Sequence, residues 1–264
     1  MTKYFIVFKN SLQEYFTYRL NFVLWRVRVI LSILISFFLW QAIFKAKASV
    51  FGYDQTQMLT YVILLTFING IVLSTQTARV AEEISLGRLS NFLIRPINYF
   101  GYILARDVSD KAINTFFSLI EIPLFIIILR PPVLIQTNPG WLLLFFLSTF
   151  LAALLYFEIS LILSCIGFWS REVWAPRFVF FILVAFLSGT YFPLDIFPKP
   201  IYAILEFLPF SYIVFFPLKL YLGTVSISFL IKGFTFSLFW IVSLRFILAF
   251  LWRTGLKQYT SEGQ

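Results

Sequence analysis

Between residues 141 and 168 the chain reads WLLLFFLSTFLAALLYFEISLILSCIGF, with Glu158 as its single charge. About 20 helical residues cross the roughly 30 Å hydrocarbon layer of a bilayer, and this run exceeds that length without alternating. Its backbone has no partners in lipid except its own, so the run reads as a transmembrane helix. Working outward, comparable runs cover residues 27–44, 58–75, 112–129, 178–191 and 234–252. Six spans make a polytopic all-α membrane protein, treated as one domain over residues 1–264. Composition agrees: 60% of the residues are hydrophobic, 12% are charged, and the mean hydropathy is +0.89. A soluble domain of this size needs far more polar surface.

The net charge of +9 does not point to nucleic acid, because the basic residues sit at the ends of apolar runs. One side of the spans collects Lys3, Lys9, Arg19, Arg26, Arg28, Arg79, Arg88, Arg95, Arg106, Lys111, Arg171, Arg177, Arg253 and Lys257. The other side holds Lys45, Lys47, Arg130, Lys199, Lys219 and Lys232. That bias predicts both termini in the cytoplasm. The run beginning near Val27 has no small-residue cleavage signature and reads as a retained span.

Three stretches lie outside the spans. Residues 1–25 place Phe5, Phe8, Leu12, Tyr15, Phe16 and Leu20 at helical spacing between polar residues, which predicts a helix lying in the membrane interface. Residues 78–110 form a long inner loop in which Ile84, Leu89, Phe92 and Leu93 are expected to face the membrane. Glu82, Glu83 and Arg88 of that loop are expected to face the cytosol, with Gly87 allowing a tight bend. Residues 192–223 are apolar but carry Pro193, Pro198, Pro200, Pro209 and Pro217, so no straight span fits them. A helical hairpin dipping in from the outer face is the preferred reading, and a loop lying on the interface is the alternative.

Chemistry-bearing motifs are sparse. The sequence contains no glycine-rich phosphate loop with a lysine, no histidine to act as a base, and one cysteine, Cys165. An enzyme with its own nucleotide, metal or other cofactor site is not expected. Three charges fall inside spans, where each is costly unless paired or hydrated. Glu158 and Arg245 lie at matching depth and are expected to pair, whereas Glu121 has no evident partner. The aromatic share of 21% suits an apolar cargo, and suits lipid-facing packing better.

Three segments resemble the ABC-2 type permeases, in the branch where paired permeases work beside a separate ATP-binding protein. They are YFTYRLNFVLWRV at 15–27, EISLGRLSNFLIRPINYFGYILARDVSDK at 83–111, and FLSGTYFPLDIFPKPIYAILEFLPFSYIVFFPLKLYLG at 186–223. The resemblance implies an exporter subunit of a bacterial inner membrane, paired with a second permease and moved by ATPase subunits that bind ATP and Mg. It makes Arg79, Glu82, Glu83, Gly87 and Arg88 the candidate coupling contact, and makes the proline-rich segment an outer gate. Two other readings remain open at this stage: a secondary transporter or channel without an ATPase, and the membrane subunit of a vitamin importer.

Overall fold

A computed structural model describes residues 2–223 and 225–260, so the outermost residues of the expected 1–264 domain lie outside the described part. The chain folds as α1 (Thr2–Thr17), α2 (Arg19–Ala46), a small hairpin of β1 (Ser49–Val50) and β2 (Tyr53–Asp54), and α3 (Gln55–Ile68). A π turn (Asn69–Leu73) follows, then α4 (Ala78–Ser85), α5 (Ser90–Leu93), α6 (Tyr99–Leu129) and α7 (Pro139–Ser164). The remainder is α8 (Trp174–Leu187), α9 (Lys199–Phe207), α10 (Phe215–Leu222) and α11 (Ile227–Gln258), with short 3-10 turns between them.

Local chemistry sets several helix starts. Asp54 accepts from the Gln57 backbone at 2.8 Å while the Gln57 side chain accepts from the Asp54 backbone, which closes a capping box on α3. Asn98, Asn138 and Ser226 cap α6, α7 and α11 through their side-chain oxygens.

Among the described residues, five helical stretches are long and apolar enough to cross a bilayer: Arg19–Ala46, Gln55–Ser85, Tyr99–Leu129, Pro139–Phe168 and Ile227–Gln258. The fifth expected span, 178–191, falls on a shorter apolar helix, Trp174–Leu187. This is α8, whose 14 residues rise only about 21 Å. A correction concerns the inner loop. Residues 99–110 belong to α6, so the non-helical connection after α4 is short.

Both described chain ends lie at one end of the bundle, the terminal end. Lys3 donates to the Pro96 carbonyl at 3.0 Å, and the Ser90 backbone donates to the Tyr259 hydroxyl at 2.9 Å. The opposite end holds the β1–β2 turn and both ends of the proline-rich segment. That segment forms a hairpin of α9, a 3-10 turn (Pro209–Tyr212) and α10. Its tip reaches the middle of the bundle, where Phe210 lies 6.0 Å from Phe180 of α8 and the Phe207 carbonyl accepts from Trp240 Nε1 of α11. Each proline starts an element: Pro193 and Pro198 precede the 3-10 turn Leu194–Ile196 and α9, while Pro200, Pro209 and Pro217 occupy first turns. A missing N–H costs nothing there, because first-turn donors have no helical acceptor.

The main core surrounds α3 and α10, with Met58, Leu59, Ile68, Leu155, Phe215 and Phe216 fully buried. Outward-facing residues of the long helices are largely apolar, Ile35, Ile127 and Phe246 among them. Contiguous apolar exposure of this kind is tolerable in lipid and not in water.

Candidate functional site

Two features meet at the terminal end: a short helical element and a cavity beside it. The element is α4, the turn at Gly87 and α5. Gly87 takes φ +72°, a left-handed conformation that glycine adopts without strain, and it reverses the chain between the two helices. Beneath α4 lies Gly167, where a Cβ would stand 2.5 Å from the Ala81 carbonyl oxygen. Only glycine lets α4 approach so closely. Ile84 and Leu89 are buried against this part of the protein, with Phe168, Tyr99 and Trp252 in the same cluster. Ile84 and Leu89 turn toward the bundle, where the ends of α7 and α11 supply apolar contact, whereas Leu93 is exposed.

The five expected coupling residues divide. Glu82 and Arg88 are exposed, together with Leu86, Leu93 and Ile94. Arg79 is half exposed and donates to Glu14 Oε2 of α1 at 2.6 Å, where Arg106 of α6 also donates at 2.9 Å. Glu83 is turned inward and accepts from the Tyr99 hydroxyl at 2.6 Å. Its expected cytosolic orientation is therefore corrected. The Tyr99 hydroxyl is a better partner for a half-buried carboxylate than empty apolar surroundings.

The cavity measures about 890 Å³ and lies among α1, α2, the π turn, α4, α6, α7 and α8. Its floor belongs to a polar network along one face of α6. Asp107, Asp110, Asn114, Ser118 and Glu121 recur at three- and four-residue spacing, which places them on one stripe. Asp107 accepts from Thr75 Oγ1 at 2.6 Å and pairs with Lys111 at 3.3 Å. Lys111 also donates to the carbonyls of Val72 and Ser74 at 3.3 and 2.5 Å, oxygens beside the π turn that lack full helical partners. Asp110 accepts from Tyr15 Oη, Gln76 Nε2 and Asn114 Nδ2. Burial, and next the Asp110 charge, push the Tyr15 hydroxyl well above its ordinary value, so it stays a donor. Tyr15 thus turns toward α6, away from the exposed aromatic face on which its spacing placed it. Phe5 and Phe16 remain exposed there.

The intramembrane charges are also rearranged. Glu121 does have a partner: Arg26 Nε donates to its Oε1 at 2.9 Å, Arg26 Nη2 bonds its Oε2, and Nη1 reaches Asn114 at 3.4 Å. Both side chains are about nine-tenths buried. The expected Glu158–Arg245 pair does not form. Glu158 Oε2 is buried without a hydrogen-bond partner, and the Arg245 guanidinium lies 5.9 Å from the centre of the Phe100 ring. Sequence reading missed this because equal depth does not require that two helices turn their charges toward each other. It also missed the α6 stripe, having assigned residues 78–110 to an inner loop. The three- and four-residue recurrence of polar residues was the available signal.

At the hairpin end a second polar cluster ties three segments together. Tyr53 donates to Asp195 at 2.8 Å, and Lys219 donates to Asp195 at 2.9 Å and to Tyr53 Oη at 3.0 Å. Burial, followed by the Asp195 charge, raises the Tyr53 hydroxyl well above its usual range. Glu206 and Lys199 complete the charged residues of the hairpin. No group of three or more potential metal ligands occurs among the described residues.

Long apolar helices and an apolar outer surface, with a cavity opening at one end, mark a multi-pass membrane protein. A sequence profile described as ABC-2 family transporter protein matches residues 30–263, and the chain belongs to that family. Its all-α permease architecture follows the same assignment. No curated protein matches the chain in sequence.

Proposed function

We propose that the chain is the permease subunit of an ATP-driven exporter in a bacterial inner membrane, with both termini cytoplasmic. A separate ATP-binding subunit, carrying the ATP and Mg, docks on the face formed by α1, α4 and α5. A second permease, identical or different, completes the pathway, and the cavity is this chain's share of its inner half. The hairpin of α9 and α10 then gates the outer exit.

The observation that carries this reading is the contrast within α4–α5. Ala81, Ile84 and Leu89 fasten the element to the bundle, whereas Glu82, Leu86, Arg88, Leu93 and Ile94 leave a mixed apolar and charged surface uncovered. Such a surface suits a soluble partner, and Glu14 links it through Arg79 and Arg106 to α1 and α6. Motion imposed on α4 is thereby passed to the helices around the cavity.

Reversing the exposed charges with Glu82→Lys and Arg88→Glu should abolish co-purification of the ATP-binding subunit and lower stimulated ATP hydrolysis by about tenfold or more, a loss of about 1.4 kcal/mol in coupling. Transport by the purified chain alone in proteoliposomes, driven by an ion gradient, would overturn the proposal in favour of a secondary transporter. ATP-dependent accumulation in right-side-out vesicles would instead indicate an importer.

A further inference from the structure

The walls of the terminal-end cavity are of two kinds. Tyr18, Phe22 and Trp25 of α2 supply aromatic surface on one side, and Trp174, Phe178 and Phe181 of α8 supply it on another. Between them stand six charged residues, and their partners decide what the cavity can hold. Glu14 is bound by Arg79 and Arg106, and Asp110 accepts from Tyr15, Gln76 and Asn114. Those carboxylates are already satisfied. Glu82 lies at the mouth, within electrostatic reach of Arg177 but not in an ion pair with it. Arg28 is exposed at the rim.

Arg177 differs from the rest. It is half-buried near the start of α8, and its guanidinium donates only to uncharged oxygens: Ser164 Oγ at 2.7 Å, the Ser160 carbonyl at 3.3 Å and Thr77 Oγ1 at 3.3 Å. A guanidinium presents five N–H donors in a fork suited to carboxylate or phosphate, so part of that capacity remains for a ligand. Neutral partners hold its direction without neutralising its charge. A volume of about 890 Å³ falls inside the usual range for small-molecule sites, about 300–1,000 Å³.

We propose that this cavity binds an anionic amphiphile, one acidic head on an apolar chain, with the head on Arg177 and the chain between the two aromatic walls. Transport of such an amphiphile would rest on the exporter reading above; its binding does not. The same chemistry occurs in an anionic bilayer lipid and in a free single-chain acid.

Trp25 and Trp174 provide a native reporter. The full chain in nanodiscs of zwitterionic lipid would be titrated with a dibrominated C18 fatty acid, which quenches indole at contact range, and with a brominated alkyl-trimethylammonium of equal length. Saturable quenching by the acid, absent in the Trp25→Phe/Trp174→Phe variant, is expected. The cation should give only the unsaturable quenching of bilayer partition. Arg177→Gln should weaken binding of the acid at least tenfold while Arg177→Lys retains most of it, in line with a charge-assisted contact. Because Arg177→Gln also disturbs Ser164 and Thr77, Phe178→Ala supplies an independent arm. Its side chain is 48% exposed, so folding is spared and affinity for the acid should fall about threefold. Competition by an anionic two-chain phospholipid would support the proposal with the bilayer as source, and competition by single-chain acids alone would support it with a soluble source. Equal quenching by acid and cation, or full binding in both Arg177→Gln and Phe178→Ala, would overturn it. The readout uses neither ATPase nor transport, so its failure leaves the ATPase partnership standing, and failure of the partnership leaves binding standing.

Discussion

At the hairpin end, Phe215, Phe216, Leu218 and Leu220 of α10 are almost inaccessible and pack against α3 and α7. At the terminal end, a cavity of about 890 Å³ opens between α2 and α8, lined by aromatic side chains with charged and polar groups among them. The first region is held mainly by apolar contact, joined by a polar clamp of Tyr53, Asp195 and Lys219 and by Gln136 bonded to Tyr221. The second is held by an extended network in which Arg26, Asp107, Asp110 and Lys111 each have more than one partner and Glu121 is held by Arg26. Close-packed apolar contact resists opening because every lost contact creates a void. Buried polar groups such as Asp107, Asp110 and Asn114 must instead keep a partner or lose stability. The lesson is that the two ends are fixed by different forces, apolar shape-filling at the hairpin end and paired polar groups at the terminal end.

That contrast can be broken most directly at Phe216, whose ring contacts those of Tyr212, Phe229 and Phe234. Phe216→Ala should destabilise the protein by about 3–5 kcal/mol, read as a lower thermal midpoint in detergent. A loss below about 1 kcal/mol would mean that the hairpin is not a packed plug.

At the other end the strongest single contact is Arg26 with Glu121. Arg26→Met leaves a buried carboxylate alone and should cost about 3 kcal/mol, while the double variant Arg26→Met/Glu121→Leu should recover most of that loss. Absence of recovery would show that Arg26 acts through Asn114 instead.

The smallest effect is expected at the rim. Glu14→Ala should change stability by less than about 1 kcal/mol, because the Glu14 and Arg79 side chains are roughly two-fifths exposed. It should nevertheless reduce ATPase stimulation severalfold, as α4 loses its tie to α1. A change in stability without a change in stimulation would reassign Glu14 to folding alone.

Much of the frame is legible in the sequence for a simple reason: apolar runs such as 27–44 and 141–168 state their environment residue by residue. Their flanking caps at Asp54, Asn98 and Asn138 are local as well. The prolines of 192–223 excluded a straight span because each acts on its own backbone. What could not be read was pairing across distance. Arg26 and Glu121 are 95 residues apart, and so are Tyr15 and Asp110. Charges at 106–110 fell within the inner loop drawn over 78–110 because their partners on α1 and beside the π turn lie elsewhere in the chain. The same limit explains why Glu83 seemed outward-facing and why Glu158 was matched with Arg245. The shortness of α8 had a different origin: an apolar stretch shows where a helix can run, and the turn at Ser188 and Gly189 shows where it stops. Gly189 takes φ +90°, and Tyr61 Oη donates to its carbonyl.

The clamp of Asp195 and Lys219 has an electrical consequence. Across residues 192–223 the charges are Asp195, Lys199, Glu206 and Lys219, two negative and two positive. Carrying one net charge through a membrane potential of about 100 mV takes about 2.3 kcal/mol. A hairpin that swings as a unit with its ions cancelled does no such work to first order. Its opening would therefore be set by mechanical load from the other helices, and would proceed alike in energised and de-energised membranes.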